Sequence, residues 1–341
     1  MMVDGQPASA AGLKQKLMAW WHGYDSPALV ALDGCKRAFL LWWNGDTESK
    51  ASHAPTKDPG SRARVVAPLR KKQQQDINAR GIVSQALWGE GNLCPGPSEF
   101  INESTARLGL TPEMSMLDLG AGLGGPARAI SSAYGIWVSA FEAVPEHVKI
   151  GMEQSVMHGM GKKVPLAHYA PETVELPKRK YDCIFSKELM HLVQAKKRLI
   201  AEIEAGLKEG RGQFFIIDYV VTEKGKTSPR IAEWNEADEE ASHFWTKEEY
   251  AAAFAEAKLD LRVTEDQTAR YCEMIAEGFR SLRKNMDNLL SEETDPHRQS
   301  ELRRALAFES NRWAVRAEAL QSGDIAVLRF SGLNPLQAEI R

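Results

Sequence analysis

Hydrophobic positions along this chain follow two alternating periods. Short apolar runs recur at 115–119, 137–141, 164–169, 183–186 and 213–220. They have strand length, and each is set off by polar or turn-forming residues. Helical spacing fills the gaps. It is plainest over 195–208, where Leu199, Ile203 and Leu207 recur every fourth residue and Gly210 offers a stop. This alternation predicts an α/β fold, a parallel sheet with helices on both faces.

The flanks read differently. Residues 1–80 form a first region, with helical patterns over 13–21 and 28–43, a polar stretch over 44–62 and a basic, Gln-rich segment over 62–75. This region is expected to be a helical N-terminal lid, and 81–341 the main domain. A helical insertion is expected at about 269–320, in two helices over 269–290 and 301–320, before a last strand over 324–331 returns to the sheet. In the first of these helices Cys272, Ile275, Phe279, Leu282, Met286 and Leu289 form one stripe, read as packing on the core. A homodimer face is the alternative.

Bulk composition narrows the partners. The chain has 341 residues, 43% hydrophobic and 26% charged, with a formal net charge of -3. No global basic field recruits nucleic acid. The 4 cysteines, Cys35, Cys94, Cys183 and Cys272, form no CxxC pair, so neither a metal site nor a disulfide framework is expected, and a cytoplasmic setting fits. No apolar run is long enough to span a membrane. Trp20, Trp21, Trp42 and Trp43, with the basic set Arg62, Arg64, Arg70, Lys71 and Lys72, leave a peripheral membrane or phosphate contact open. A solvated helix face is the plainer reading of the basic set.

Chemistry concentrates around one loop. Met116-Leu117-Asp118-Leu119-Gly120-Ala121-Gly122-Leu123-Gly124-Gly125 ends a strand and opens a helix. Glycines let the backbone turn sharply and come close to a ligand. A bare GxGxG also marks nicotinamide and flavin sites. Here Asp118 precedes the first glycine by two positions, and Glu142 ends the next strand 24 residues later (142 − 118). A carboxylate there can accept ribose hydroxyls. No GK[ST] follows, which excludes a phosphate-cradling P-loop.

Two further segments carry a resemblance. One is Leu87-Trp88-Gly89-Glu90-Gly91-Asn92-Leu93-Cys94-Pro95-Gly96-Pro97, upstream of the loop. The other is Phe185-Ser186-Lys187-Glu188-Leu189-Met190-His191-Leu192, after the fourth run. With the D-x-G-x-G-x-G loop they resemble the class I, Rossmann-like S-adenosylmethionine-dependent methyltransferases. Within that class they are similar to the phosphoethanolamine and related small-molecule methyltransferases, whose patterns read G-E-x-x-x-S-x-G-G and S-R-D-x-x-x-H. The resemblance implies a mostly parallel seven-stranded sheet and S-adenosyl-L-methionine as cofactor. It assigns cofactor binding to Asp118, Gly120, Gly122, Gly124, Glu142, Ser186 and Gly91. It places Glu188 against a substrate amine and His191 near the reacting group, as the catalytic pair. Cys94, Pro97, Lys187 and Glu188 depart from the family's residues. The upstream catalytic tyrosine of that family has no counterpart between residues 25 and 100.

Methyl transfer from a sulfonium asks the protein for alignment and for removal of a proton from the nucleophile. If a helix begins near Lys187, Glu188 and His191 share a face of it. The first functional expectation is N-methylation of a small polar metabolite, an amine or phosphobase. The alternatives are C-, S- or O-methylation of an isoprenoid, lipid or thioether, and a cofactor-binding protein without turnover. Trp234, His243, Phe244 and Trp245 read as core or a lid edge, with a cation–π wall as the alternative. Thr246 and Glu249 read as a capping box. Asp218 and Tyr219, at the end of the fifth strand, are placed to reach a substrate.

Overall fold

The computed structural model describes residues 71–238 and 241–336. The chain divides into two compact units, Met1–Lys71 and Lys72–Arg341, and only the second is described at length. The expected helices over 13–21 and 28–43, the four tryptophans there, and Arg62, Arg64 and Arg70 lie outside the described residues.

In chain order the elements are α1 (Lys71–Trp88), α2 (Ser98–Thr105), β1 (Ser115–Leu119), α3 (Gly125–Tyr134), β2 (Trp137–Glu142), α4 (Pro145–Met157) and β3 (Leu166–His168). Next come β4 (Cys183–Lys187), α5 (Lys196–Gly206), β5 (Gly212–Val221), α6 (Arg230–Asp238), α7 (Lys247–Glu256) and β6 (Asp260–Asp266). The last three are α8 (Thr268–Glu292), α9 (Pro296–Gln321) and β7 (Ile325–Asn334). One seven-stranded sheet has the order β3-β2-β1-β4-β5-β7-β6. Strands β1 to β5 pair in parallel, and β7 runs antiparallel between β5 and β6. This is a Rossmann-like, mostly parallel α/β architecture.

The expected strands are present because their apolar runs are covered on both faces. Leu117, Leu119, Ile184, Phe214 and Ile216 are fully buried. Each such burial stabilises the fold by about 1.5–3 kcal/mol. Strand β6 went unread, and its burial explains why. It is the sheet edge, its sequence Asp-Leu-Arg-Val-Thr-Glu-Asp has no apolar run, and four of its seven residues are exposed. Helix α9 begins earlier than expected, at Pro296, where the Asp295 side chain accepts the His297 N–H at 2.9 Å. Helix α5 stops at Gly206, before Gly210, where the Ala205 and Gly206 carbonyls accept instead from the Arg179, Lys180 and Tyr181 N–H groups of the segment that precedes β4. On α8 Ile275, Phe279, Leu282 and Met286 are buried, as the stripe requires, and Tyr271 joins them where Cys272 is only half-buried.

Strand β1 sits where the order reverses: the chain moves to β2 and β3 on one side and returns to β4 and β5 on the other. Ligands of open α/β sheets bind at the carboxyl ends of the strands beside such a reversal. Among the described residues no helix is long and apolar enough to cross a membrane.

Candidate active site

The glycine loop leaves β1 in a left-handed turn, with φ of 80° at Gly120, 57° at Gly122 and 78° at Gly124. At Gly120 the demand is double. A side chain would be strained at this φ, and its Cβ would lie 2.9 Å from the Cβ of Leu189. The Gly120 and Ala121 N–H groups donate to the Phe141 carbonyl at 2.9 and 3.0 Å, which ties the ends of β1 and β2 together.

Two buried carboxylates flank the loop. Glu142 accepts the Gly122 N–H on one oxygen and the Val144 N–H on the other, both at 2.9 Å. Asp118 is 1% exposed, and its Oδ2 has no hydrogen-bond partner. Burial pushes its carboxyl up to about 7; Lys187 opposes this and Glu142 adds to it. Ser186, fully buried, donates its hydroxyl to the Leu119 carbonyl at 3.0 Å, holding β4 to β1 just before the turn. Gly91 lies against the start of α3, where its carbonyl accepts the Gly125 N–H at 3.0 Å and a Cβ would collide with the Arg128 guanidinium. The upstream segment and the glycine loop are therefore neighbours.

Beyond β4 the expected helix is absent. The strand continues through Lys187, and Glu188 takes a left-handed φ of 55° while donating its N–H to the Ile217 carbonyl at 2.8 Å. A single 3-10 turn, Met190–Leu192, follows. Glu188 and His191 therefore share no helical face. Left-handed backbone at a non-glycine residue costs about 1 kcal/mol or more and clusters at functional sites.

Glu188 is enclosed by its own chain. Its Oε1 accepts from the Lys187 ammonium at 3.1 Å, and its Oε2 accepts from the Tyr219 hydroxyl at 2.9 Å, with Arg316 Nη1 3.7 Å away. Burial alone would raise its carboxyl, but Lys187, Arg316 and Tyr219 together hold it below the ordinary carboxylate range. Lys187 also donates to the Pro95 carbonyl at 2.8 Å and contacts Cys94 Sγ at 2.7 Å. Burial, with Glu188 close by, pushes the Cys94 thiol up to about 12 against the opposing Lys187. Arg316, from α9, is 2% exposed and grips Asp238 at 2.7 Å. Its guanidinium lies 4.7 Å over the Trp234 ring, 4.8 Å over Trp313 and 5.5 Å over Tyr219.

His191 lies beside this cluster, 1% exposed. Its Nδ1 meets Asp218 Oδ1 at 2.8 Å, and its Nε2 has no partner. Asp218 also accepts the N–H groups of Met190, His191 and Tyr219, so the acid orients the turn that carries the imidazole. Aromatic rings wall the imidazole. Phe244 stacks at 6.0 Å, and Tyr219 and Trp234 stand edge-on at 5.0 and 6.5 Å. Of the aromatic group after β5, Trp234 and Phe244 thus converge on His191, and His243 donates its N–H to the His191 carbonyl at 2.6 Å. Trp245 packs on Tyr250 instead. The Thr246–Glu249 capping box is present. Asp218 and Tyr219 engage His191 and Glu188.

Arg316 and Asp238 were not read as site residues. Both sit on helices crowded with charge, and no spacing distinguishes a buried arginine from its solvated neighbours.

Residues 97–264 match the family model described as a methyltransferase domain. The chain is 26% identical over 215 residues to phosphoethanolamine N-methyltransferase 1 of Zea mays, covering 63% of this chain and 42% of that protein. The chain thus spans less than half the length of this curated relative. Among solved structures, Haemonchus contortus phosphoethanolamine N-methyltransferase 2 in complex with S-adenosyl-L-methionine superposes with a TM-score of 0.67 at 19% identity, covering 78% of this chain and 58% of that one. Geranyl diphosphate C-methyltransferase from Streptomyces coelicolor, in complex with Mg2+, geranyl-S-thiolodiphosphate and S-adenosyl-L-homocysteine, gives a TM-score of 0.52 at 18% identity, covering 96% and 99%. These likenesses establish the fold that the glycine loop and the sheet order already describe.

Proposed function

We propose that this chain is an S-adenosyl-L-methionine-dependent methyltransferase of a small molecule, with His191 as the general base. The observation that carries the proposal is the His191–Asp218 pair, two residues beyond Leu189, which lies against Gly120, with Nε2 unpartnered. A buried polar atom left without a partner costs about 1–3 kcal/mol and calls for an explanation.

The residues fit the cofactor. Asp118 offers a buried oxygen without a donor, which a cationic or N–H group of the ligand would satisfy. Glu142 lies at the end of β2 for the ribose hydroxyls, and the Gly120–Gly124 backbone presents no Cβ toward the ligand. Gly91 and Ser186 shape the loop from behind. The bound sulfonium supplies an activated methyl group. Asp218 keeps the proton of the neutral imidazole on Nδ1, leaving the Nε2 lone pair to take a proton from the nucleophile, and stabilises the imidazolium that forms. The aromatic walls keep water from the reacting atoms.

The relatives' names favour an amine nitrogen as the methylated atom, in a small metabolite or phosphobase. A second reading, transfer to oxygen or carbon, has its own observation in favour: Glu188 is already paired by Lys187, Tyr219 and Arg316. The test is incubation of the purified chain with methyl-labelled S-adenosyl-L-methionine and a fractionated metabolite extract, with mass spectrometry of the labelled product. A labelled small molecule that disappears with His191→Asn supports the proposal; no labelled product from any fraction counts against it.

A further inference from the structure

We infer that the substrate presents an uncharged hydroxyl on a flat, apolar ring system, and that the enzyme is an O-methyltransferase; this rests on the methyltransferase reading above. An ammonium substrate needs a free counter-charge or free aromatic faces. The carboxylates near His191 offer no such charge. Glu188 meets Lys187 at 3.1 Å and Arg316 at 3.7 Å, and Asp238 meets Arg316 at 2.7 Å and Arg312 at 2.9 Å. Asp218 spends its oxygens on three backbone N–H groups and the His191 ring. The Lys196 ammonium, held by the Val193 and His243 carbonyls, adds a further positive charge beside Asp218.

The aromatic faces are taken as well. The cation lying over Trp234 and Tyr219 is the protein's own Arg316. Residues that would form a cage for a substrate cation therefore already hold one. The methyl donor brings one more positive charge when it binds, and a second cation buried beside it would add repulsion to a desolvation cost.

What stays unsatisfied around the imidazole is neutral: His191 Nε2 and the Trp234 indole N–H, both fully buried. One accepts and the other donates, which suits a hydroxyl that does both. The Phe244 ring, which Arg316 does not cover and which lies parallel to the imidazole with centroids 6.0 Å apart, suits a flat apolar body. A hydroxyl also makes full use of the Asp218-backed base. As the oxygen attacks, the O–CH3 bond forms and the S–CH3 bond breaks. The bonding pair returns to sulfur, leaving a neutral thioether, and the hydroxyl proton passes to His191 Nε2. The products are a methyl ether, S-adenosylhomocysteine and an imidazolium that sheds its proton to water.

The experiment compares two probes on one ring system, 2-naphthol and 2-naphthylmethylammonium. Each is titrated calorimetrically at neutral pH into the full chain saturated with S-adenosylhomocysteine. The naphthol is expected to bind at least about tenfold more tightly, and labelled S-adenosyl-L-methionine is expected to methylate its oxygen. In the double variant Arg316→Met, Asp238→Leu, which removes the resident cation from the rings, the preference is expected to shift toward the ammonium. Equal or tighter binding of the ammonium to the unaltered chain, or no saturable binding of the naphthol, overturns the inference. The preceding titration with S-adenosylhomocysteine separates the two levels: without cofactor binding the methyltransferase reading itself fails, whereas cofactor binding with an ammonium preference removes only the substrate class.

Discussion

Replacing Arg316 with Met tests whether the buried charge cluster holds the inserted helices to the sheet. Arg316 joins α9 to α6 through Asp238, at 2.7 and 3.3 Å, and reaches the β4 turn through Glu188 at 3.7 Å. Removing one member of a buried ion pair leaves the other desolvated and unpaired, at a cost of about 3–5 kcal/mol. Two neighbours soften the loss: Arg312 stays 2.9 Å from Asp238, and Lys187 stays 3.1 Å from Glu188. The methionine also fills part of the volume among Trp234, Trp313 and Tyr219. The low end of the range follows, about 3 kcal/mol, which corresponds to a fall in Tm of roughly 6–10 °C for a domain of this size. Urea unfolding, followed by tryptophan fluorescence and far-UV circular dichroism at constant m, measures it. Adding Asp238→Leu removes the orphaned carboxylate and is expected to recover half or more of the loss, because replacing a whole buried pair with apolar groups is close to neutral. A single variant that loses less than about 1 kcal/mol, or a double variant less stable than the single, refutes the reasoning.

Three further predictions follow from the same geometry. His191→Asn is expected to lower kcat about 100-fold or more while leaving cofactor affinity unchanged by calorimetry; retained turnover would make the imidazole a packing residue. Gly120→Val combines a φ of 80° with a Cβ 2.9 Å from Leu189, so cofactor binding is expected to be lost while far-UV circular dichroism still reports the sheet. Asp118, whose folded carboxyl lies at about 7 against an ordinary 3.8, keeps its proton longer in the folded state than in the unfolded one. The ligand-free protein is therefore expected to lose stability as pH rises from about 4 to about 7, and then level off. Asp118→Asn is expected to flatten that slope in pH-dependent urea unfolding; an unchanged slope assigns it to other groups.

Much of the site was legible because its marks are local. The glycines of 120–124 are required by left-handed backbone at those very positions, and Glu142 stands at a strand end that hydropathy already locates. Reading Glu188 as a free acid on a helix failed for a reason no local pattern carries. The β4 strand runs one residue further, and the N–H of Glu188 is claimed by Ile217 of the neighbouring strand. The second link of the His191 pair, Asp218, was visible as a polar residue at a strand end, but its partner was not, because the two meet across 27 residues.

The amino-acid order by itself determined the alternation of strands and helices, the central parallel sheet and the loop that binds the cofactor in the proposed function. All of these follow from periodicity and from backbone conformations that only particular residues accept. Tertiary structure alone decided how the charges behave. Arg316 and Glu188 are 128 positions apart (316 − 188), and only the packing of α9 over the sheet brings the guanidinium onto the Trp234 ring and 3.7 Å from the carboxylate. Whether a carboxylate is available to a substrate depends on which cations reach it once water is excluded, and such long-range encounters leave no periodic trace in the sequence.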